Sequence, residues 1–243
     1  MSTIAQISDI HIGADYGRFD THGNFEKVLD DIRIRKDINH IVITGDLADD
    51  NYLENYKWVK QKLDDLGIFY IILDGNHDDK NTLKQVFGDN YYGGGNCRGG
   101  DGEYSPYLYL DTSSSYITEE QLELISCGDV VFTHFPILPV RHNFMNKGHS
   151  LALNIGMCNY SGNKIKEYLE SRNLYDVYIF CGHYHFDNYT QAGNYGFIKQ
   201  FVCPSTQAQL DSNSKELKIS CLNPAYRLIH LEGNLETEVV YLQ

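Results

Sequence analysis

Phe69-Tyr70-Ile71-Ile72-Leu73-Asp74-Gly75-Asn76-His77-Asp78-Asp79 carries an apolar run straight into a polar corner. An unbroken run of this length, rich in aromatic and β-branched residues, marks a strand buried on both faces. The corner offers a glycine for a tight turn and three side chains, Asn76, His77 and Asp78, able to bind a metal or move a proton. Alone this is a weak signal, because turns favour Asn, Asp and Gly for backbone reasons. Its weight depends on whether such corners recur.

They recur. Thr3-Ile4-Ala5-Gln6-Ile7-Ser8 reads as a strand and runs into Asp9-Ile10-His11-Ile12-Gly13. Phe25, Val28, Leu29 and Ile32 then repeat at helical spacing, predicting an amphipathic helix over about residues 23–36. Ile41-Val42-Ile43-Thr44 is a second buried strand, ending in Gly45-Asp46-Leu47-Ala48-Asp49-Asp50. Leu53, Tyr56, Lys60, Leu63 and Leu66 trace a second helix, its apolar stripe broken only by Lys60, with Gly67 as its stop. Further on, Asp129-Val130-Val131-Phe132-Thr133 delivers His134, and the strand at residues 177–181 delivers Gly182-His183-Tyr184-His185. Strands alternating with helices predict an α/β fold with a parallel sheet, whose functional groups gather past the carboxyl ends of the strands. The candidate residues all fall at such ends.

The rest of the chain is connective or strand-rich. A short helix is expected near residues 80–87, a strand at 107–111, and a helix opened by the capping box Thr118-Glu119-Glu120-Gln121. The Gly-rich stretch 93–102 lacks the Gly-Lys-Ser/Thr ending of a phosphate loop and reads as a connection. Residues 135–160, with His142 and His149, have no period and mark a long irregular loop of the kind that shapes a site. Ser161 is placed to cap a helix reaching about Arg172, and strands follow at 188–192, 197–203, 226–232 and 235–242. Gly233-Asn234 sits where the last two would turn as a hairpin. With no repeat or linker, residues 1–243 read as one domain.

Composition narrows the function. A hydrophobic content of 42% with 22% charged residues suits a soluble globular chain. No leader and no long apolar segment stand out, so a cytoplasmic protein is expected. The net charge of −13 argues against a nucleic-acid polymer or an anionic membrane as partner, since both are bound by clustered Lys and Arg. It leaves room for a small phosphorylated substrate, because bound metal ions dominate the field at their own site. The cysteines are widely spaced, with Cys181 and Cys203 expected to be small buried hydrophobes and no disulfide framework.

Two carboxylates, Asp9 and Asp46, an amide, Asn76, and several imidazoles exceed what one tetrahedral ion needs. Such a set suits a pair of ions sharing a carboxylate, of the hard to borderline kind: Mn, Fe, Zn, Co or Ni. Two metals roughly 3.5–4 Å apart can hold a hydroxide between them and stabilise both oxygens of an in-line displacement. Hydrolysis of a phosphoester is the natural reaction.

Asp9-x-His11, Gly45-Asp46, Gly75-Asn76-His77-Asp78, His134 and Gly182-His183-x-His185 match, in order, the motifs of the calcineurin-like metallophosphoesterases. Within that superfamily the chain most resembles the bacterial class III cyclic nucleotide phosphodiesterases. Gly45-Asp46-Leu47-Ala48-Asp49-Asp50, Gly75-Asn76-His77-Asp78-Asp79-Lys80 and Cys203-Pro204-Ser205-Thr206 look like that group's own forms. The resemblance implies a four-layer α/β/β/α sandwich with a dimetal site at the strand ends. It implies that Asp9, His11 and His185 hold one metal, that Asn76, His134 and His183 hold the other, and that Asp46 bridges. It makes His77 the residue that contacts phosphate and protonates the leaving oxygen, with Asp49 orienting it. The implied activity is hydrolysis of a 3′,5′-cyclic nucleotide to the 5′-monophosphate, with a homodimer possible. The alternative is a broader phosphodiesterase or phosphomonoesterase. A nuclease is disfavoured by charge, and a scaffold that has lost catalysis by the complete set of candidate ligands. The fourth motif departs from the group, reading Thr133-His134-Phe135-Pro136, so Phe135 alters the wall near the site. Tyr16, Phe135 and His142 are candidates to stack on a base or merely to pack.

Overall fold

The computed structural model describes residues 3–14, 19–49, 52–92, 97–99, 107–114, 117–143, 162–193 and 196–243. Its first half runs β1 (Thr3–Ile7), α1 (Thr21–Ile34), β2 (Ile38–Thr44), α2 (Leu53–Leu66), β3 (Phe69–Leu73) and α3 (Lys80–Phe87). Next come β4 (Cys97–Gly99), β5 (Tyr107–Tyr109), α4 (Glu119–Glu123), β6 (Val130–Phe132), α5 (Gly162–Ser171) and β7 (Val177–Cys181). The chain ends with β8 (Asn188–Ala192), β9 (Ile198–Val202), β10 (Gln209–Leu210), β11 (Ile219–Cys221), β12 (Ala225–His230) and β13 (Glu236–Tyr241).

Among the described residues two large sheets form, ordered β13-β12-β1-β2-β3 and β4-β5-β6-β7-β9-β8, with a two-stranded β10-β11 sheet beside them. β1, β2 and β3 pair in parallel, as the strand–helix alternation requires. So do β5, β6, β7 and β9, while the edge strands β4 and β8 run antiparallel. Period-two side-chain alternation shows how the sheets stack. Ala5, Ile41, Ile43, Tyr70 and Ile72 pack with Phe25, Val28, Tyr56 and Leu83 of the helices. Their neighbours Ile4, Val42, Ile71 and Leu73 face the other way and meet Tyr109, Val130, Phe132 and Phe180 of the second sheet. Val131 and Ile179 turn outward to Leu122, Ile165 and Leu169. The layers are helix, sheet, sheet and helix, an α/β sandwich whose strands are apolar on both faces because both are covered.

Local chemistry sets the element ends. α1 begins earlier than its apolar spacing predicts because the Asp20 carboxylate accepts from Gly23 N at 2.9 Å and caps the helix there. α2 stops at Gly67, whose φ of 69° closes the turn as expected. The capping box of α4 forms between Thr118 and Gln121. The β12–β13 hairpin turns at Gly233. The β10–β11 hairpin was not legible, being too short for any period, and β4 lies inside the Gly-rich stretch. Ser161, His149 and Tyr16 lie outside the described residues, as do 93–96, 100–102 and 144–160. Among the described residues no helix is long and apolar enough to cross a membrane.

Candidate metal centre

The polar corners meet at one end of the stacked sheets, and their backbone is strained. Asp9, His11, Asp46, His183 and His185 have φ of 55°, 49°, 54°, 74° and 55°. Residues with a Cβ rarely occupy this left-handed region and persist there only where the surroundings over-determine them. The surroundings do so here. Beyond the strand ends, Asp9 N donates to Gly45 O at 3.1 Å, His11 N to Asp46 O at 2.9 Å and Asp49 N to Ile12 O at 3.1 Å. From the far end of the sequence, Ser205 Oγ donates to Asp9 O at 2.9 Å and Thr206 Oγ1 to Ser8 O at 3.1 Å, while Gln207 Nε2 donates to Ile10 O. The turn after β9 thus braces the loop after β1.

Glycine at position 75 serves a different purpose from the one its turn suggests. Its φ is not left-handed, but a Cβ there would overlap the Asp46 carboxylate. The strained φ falls one strand away, on Gly45 and Asp46. Asp78 takes a definite structural role: its carboxylate accepts from Leu47 N and Gly75 N, both at 2.9 Å, and from Tyr56 Oη at 3.2 Å. It ties the loop after β2 to the loop after β3.

The candidate ligands gather in two groups, Asp9 with His11 and His185, and Asp46 with His134 and His183, and His11 forms a third set able to hold an ion with Asp49 and His77. His11 Nε2 lies 3.1 Å from His185 Nε2, and His185 Nε2 lies 3.4 Å from Asp9 Oδ1. Asp46 Oδ2 stands between the groups, 3.7 Å from His11 Nε2 and 3.4 Å from His134 Nε2. Asn76 Oδ1 closes the second group, 3.1 Å from His134 Nε2. All of the candidate ligands named from sequence are therefore within this cluster. Outer partners fix the ring orientations: His134 Nδ1 donates to Thr44 O at 2.7 Å, and His11 Nδ1 meets Asp49 Oδ1 at 2.5 Å. Each leaves its Nε2 facing the cluster, the usual way a ligating imidazole is aimed.

Asp49 is shared. The same Oδ1 that holds His11 lies 2.9 Å from His77 Nδ1. The bond to Asp49 raises the His77 imidazole above its ordinary range, against a smaller opposing effect of burial. The rest of the field is strongly negative. Burial would lower His11, but the Asp49 bond with Asp46 and Asp9 raises it to about 9. Burial likewise opposes His134, yet Asp46 and Asp9 carry it to about 10. Burial alone would raise Asp9, and His185 holds it down to about 2. His183 goes the other way, with burial first and the neighbouring His134 second, and falls to about 3. Buried carboxylates that draw protons onto facing imidazoles mark a place where a cation would replace those protons. The oxygen and imidazole donors, without thiolate, fit two hard or borderline ions.

A cavity of about 370 Å³ opens beside the cluster, with His11, His77, His183 and His185 on its wall. Of the expected wall residues, Phe135 is fully buried with its ring 4.0 Å from that of His183, so it packs and cannot stack on a base. His142 lies against Tyr184 at 5.1 Å. Neither described part of the stretches 93–102 and 135–160 lines this cavity; the β10–β11 hairpin does.

The sequence profile of the calcineurin-like phosphoesterases matches residues 2–187. The chain belongs to this family. It is a metal-dependent phosphoric ester hydrolase of a family that uses a dinuclear metal site, and the His and Asp clusters described above could bind metal ions. A protein of Fibrobacter succinogenes named "Probable cyclic nucleotide phosphodiesterase" is 29% identical over 260 residues, covering 98% of this chain and 93% of its own. The "3′,5′-cyclic adenosine monophosphate phosphodiesterase CpdA" of Pseudomonas aeruginosa is 26% identical, covering 97% and 88%. Among solved structures, the purple acid phosphatase PPD1 of yellow lupin superposes with a TM-score of 0.65 at 11% identity, over 99% of this chain and 51% of that one. That last likeness concerns the fold.

Proposed function

We propose that the protein is a dinuclear-metal phosphodiesterase that hydrolyses 3′,5′-cyclic nucleotides to 5′-monophosphates. The observation that carries this reading is the position of His77. Its Nδ1 is held by Asp49 and its ring is 41% exposed, on the wall of the cavity that the two ligand groups adjoin. In this reading Asp9, His11 and His185 hold one ion, Asn76, His134 and His183 the other, and Asp46 serves both. Mn or Fe is expected from the donor set, with Zn, Co or Ni as substitutes. When bound, the ions supply charge neutralisation on the phosphoryl oxygens and activation of water for in-line attack.

The protein's own groups do the rest. His77, kept charged by Asp49, gives the proton from its free Nε2 to O3′ as the P–O3′ bond breaks. Asp49 keeps the ring aimed, and Asn76 presents its amide beside the same phosphoryl group. The relatives named as cyclic nucleotide phosphodiesterases support the choice of substrate. A panel of cyclic nucleotides, bis(p-nitrophenyl) phosphate and p-nitrophenyl phosphate, assayed with added Mn²⁺, tests it. Turnover of cyclic nucleotides is expected, and His77→Ala and Asn76→Ala should each lose most of it while remaining folded. No hydrolysis of any cyclic nucleotide, with the aryl esters turned over, would give the broader phosphoesterase reading instead.

A further inference from the structure

We propose that the β10–β11 hairpin, with Phe19, is a sorting wall that receives the apolar or aromatic group of the ester, the nucleobase where a cyclic nucleotide is the substrate. The inference rests on the phosphodiesterase reading and adds the part of the substrate the metal-side residues do not reach. The cavity lining is of two kinds. Four histidines line it, and so do the apolar side chains of Phe19, Leu210, Leu217 and Ile219. Its volume of about 370 Å³ falls within the roughly 300–1,000 Å³ typical of small-molecule pockets, more room than a phosphoryl group takes.

The hairpin is fixed to the catalytic side rather than merely near it. Leu210 N donates to the His185 carbonyl at 2.8 Å, so the wall and a candidate ligand share one backbone bond. Gln209 Nε2 donates to Ser205 O at 2.8 Å and to Asn223 O at 3.0 Å, tying the hairpin base to the turn that braces Asp9. On this rigid base Leu217 remains 64% exposed while lining the cavity. An aromatic group seated there would cover it, whereas a small hydrated phosphoester would gain nothing from it. Gln207, also on the wall, has its amide nitrogen committed to the carbonyls of Ile10 and Thr21. Selection at this wall is accordingly by apolar area.

The test is the Leu217→Ser/Ile219→Ser double variant of the Mn²⁺-loaded protein. KM for bis(p-nitrophenyl) phosphate and for cyclic AMP should rise roughly five- to tenfold with kcat within about twofold, the signature of lost uniform binding. Calorimetric affinity for adenosine 5′-monophosphate should fall by the same factor, while inhibition by inorganic phosphate stays within about twofold. Unchanged KM and nucleotide affinity would overturn the wall, and so would a parallel loss of phosphate inhibition, which would make the hairpin a mere support. If cyclic AMP is not turned over, the cyclic-nucleotide reading fails, and the aryl ester still decides the wall. If neither ester is turned over, calorimetric titration of the Mn²⁺-loaded protein with adenosine 5′-monophosphate and with inorganic phosphate decides it.

Discussion

Asp78 shows how a residue can matter to a centre without touching it. Its carboxylate gathers amides from two loops, and burial with the nearby Asp46 raises it to about 6 despite those bonds. Asp78→Ala would take from Gly75 N and Leu47 N the carboxylate that accepts from them, and stranded donors are costly. We expect a loss of about 3 kcal/mol in urea unfolding and at least a tenfold drop in turnover, because Asp46 and Asn76 lie on the loops it joins. Near-parental stability and turnover in this variant would show that water replaces the carboxylate at no cost. Asp49 is the second such residue. One oxygen serves His11 and His77, so its loss would disturb a candidate ligand and the candidate acid together.

At the scale of elements, the decisive piece is the turn from Cys203 to Gln209. Ser205, Thr206 and Gln207 spend side-chain hydrogen bonds on the carbonyls of Ser8, Asp9 and Ile10, almost two hundred residues earlier. These bonds hold Asp9 and His11 in a backbone region that would otherwise relax. The Ser205→Ala/Thr206→Val variant should therefore weaken Mn²⁺ binding by roughly ten- to a hundredfold, with kcat at saturating Mn²⁺ changed only a few-fold. An activation titration with Mn²⁺ reads both quantities. If half-saturation does not move, the turn does not position Asp9. The sequence holds the Ser-Thr-Gln run in plain sight, and its likeness to the family's form marks it, yet its partners cannot be read there because they lie on a segment almost two hundred residues away.

For the molecule as a whole, the central layer between the two sheets carries its own liability. His40 of β2 packs edge-on against Phe69 at 4.9 Å and against Tyr107 of the second sheet at 5.9 Å. Its Nε2 is buried without a hydrogen-bond partner, and burial lowers the imidazole from 6.5 to about 4. The unfolded chain accepts this proton near pH 6.5 and the folded chain only near 4. Between those values unfolding takes up a proton, so stability falls as the pH drops from 6.5 towards 4 and the contribution is flat outside that window. His40→Leu should flatten the profile there by up to about 3 kcal/mol, seen as the difference between the two proteins' urea stabilities at pH 7 and pH 4.5. Equal slopes would place the acid sensitivity elsewhere.

Outside β4 and the β10–β11 hairpin, the apolar runs and the polar corners were enough to set the strand–helix order, the parallel pairing and the strand ends at which Asp9, His11, Asp46, Asn76, His77, His134, His183 and His185 appear. They were enough because burial on both faces leaves a continuous apolar signature, and because a turn at a strand end is local. Three-dimensional closure decided the rest. Only the fold shows that Gly75 is needed for clearance from Asp46, that Asp49 serves two histidines, and that Phe135 is packed away. Only the fold brings the β10–β11 hairpin to the cavity. The physical reason is the same in each case: these facts are contacts between segments far apart in the chain, and a contact of that kind leaves no period, cap or turn in either segment to announce it.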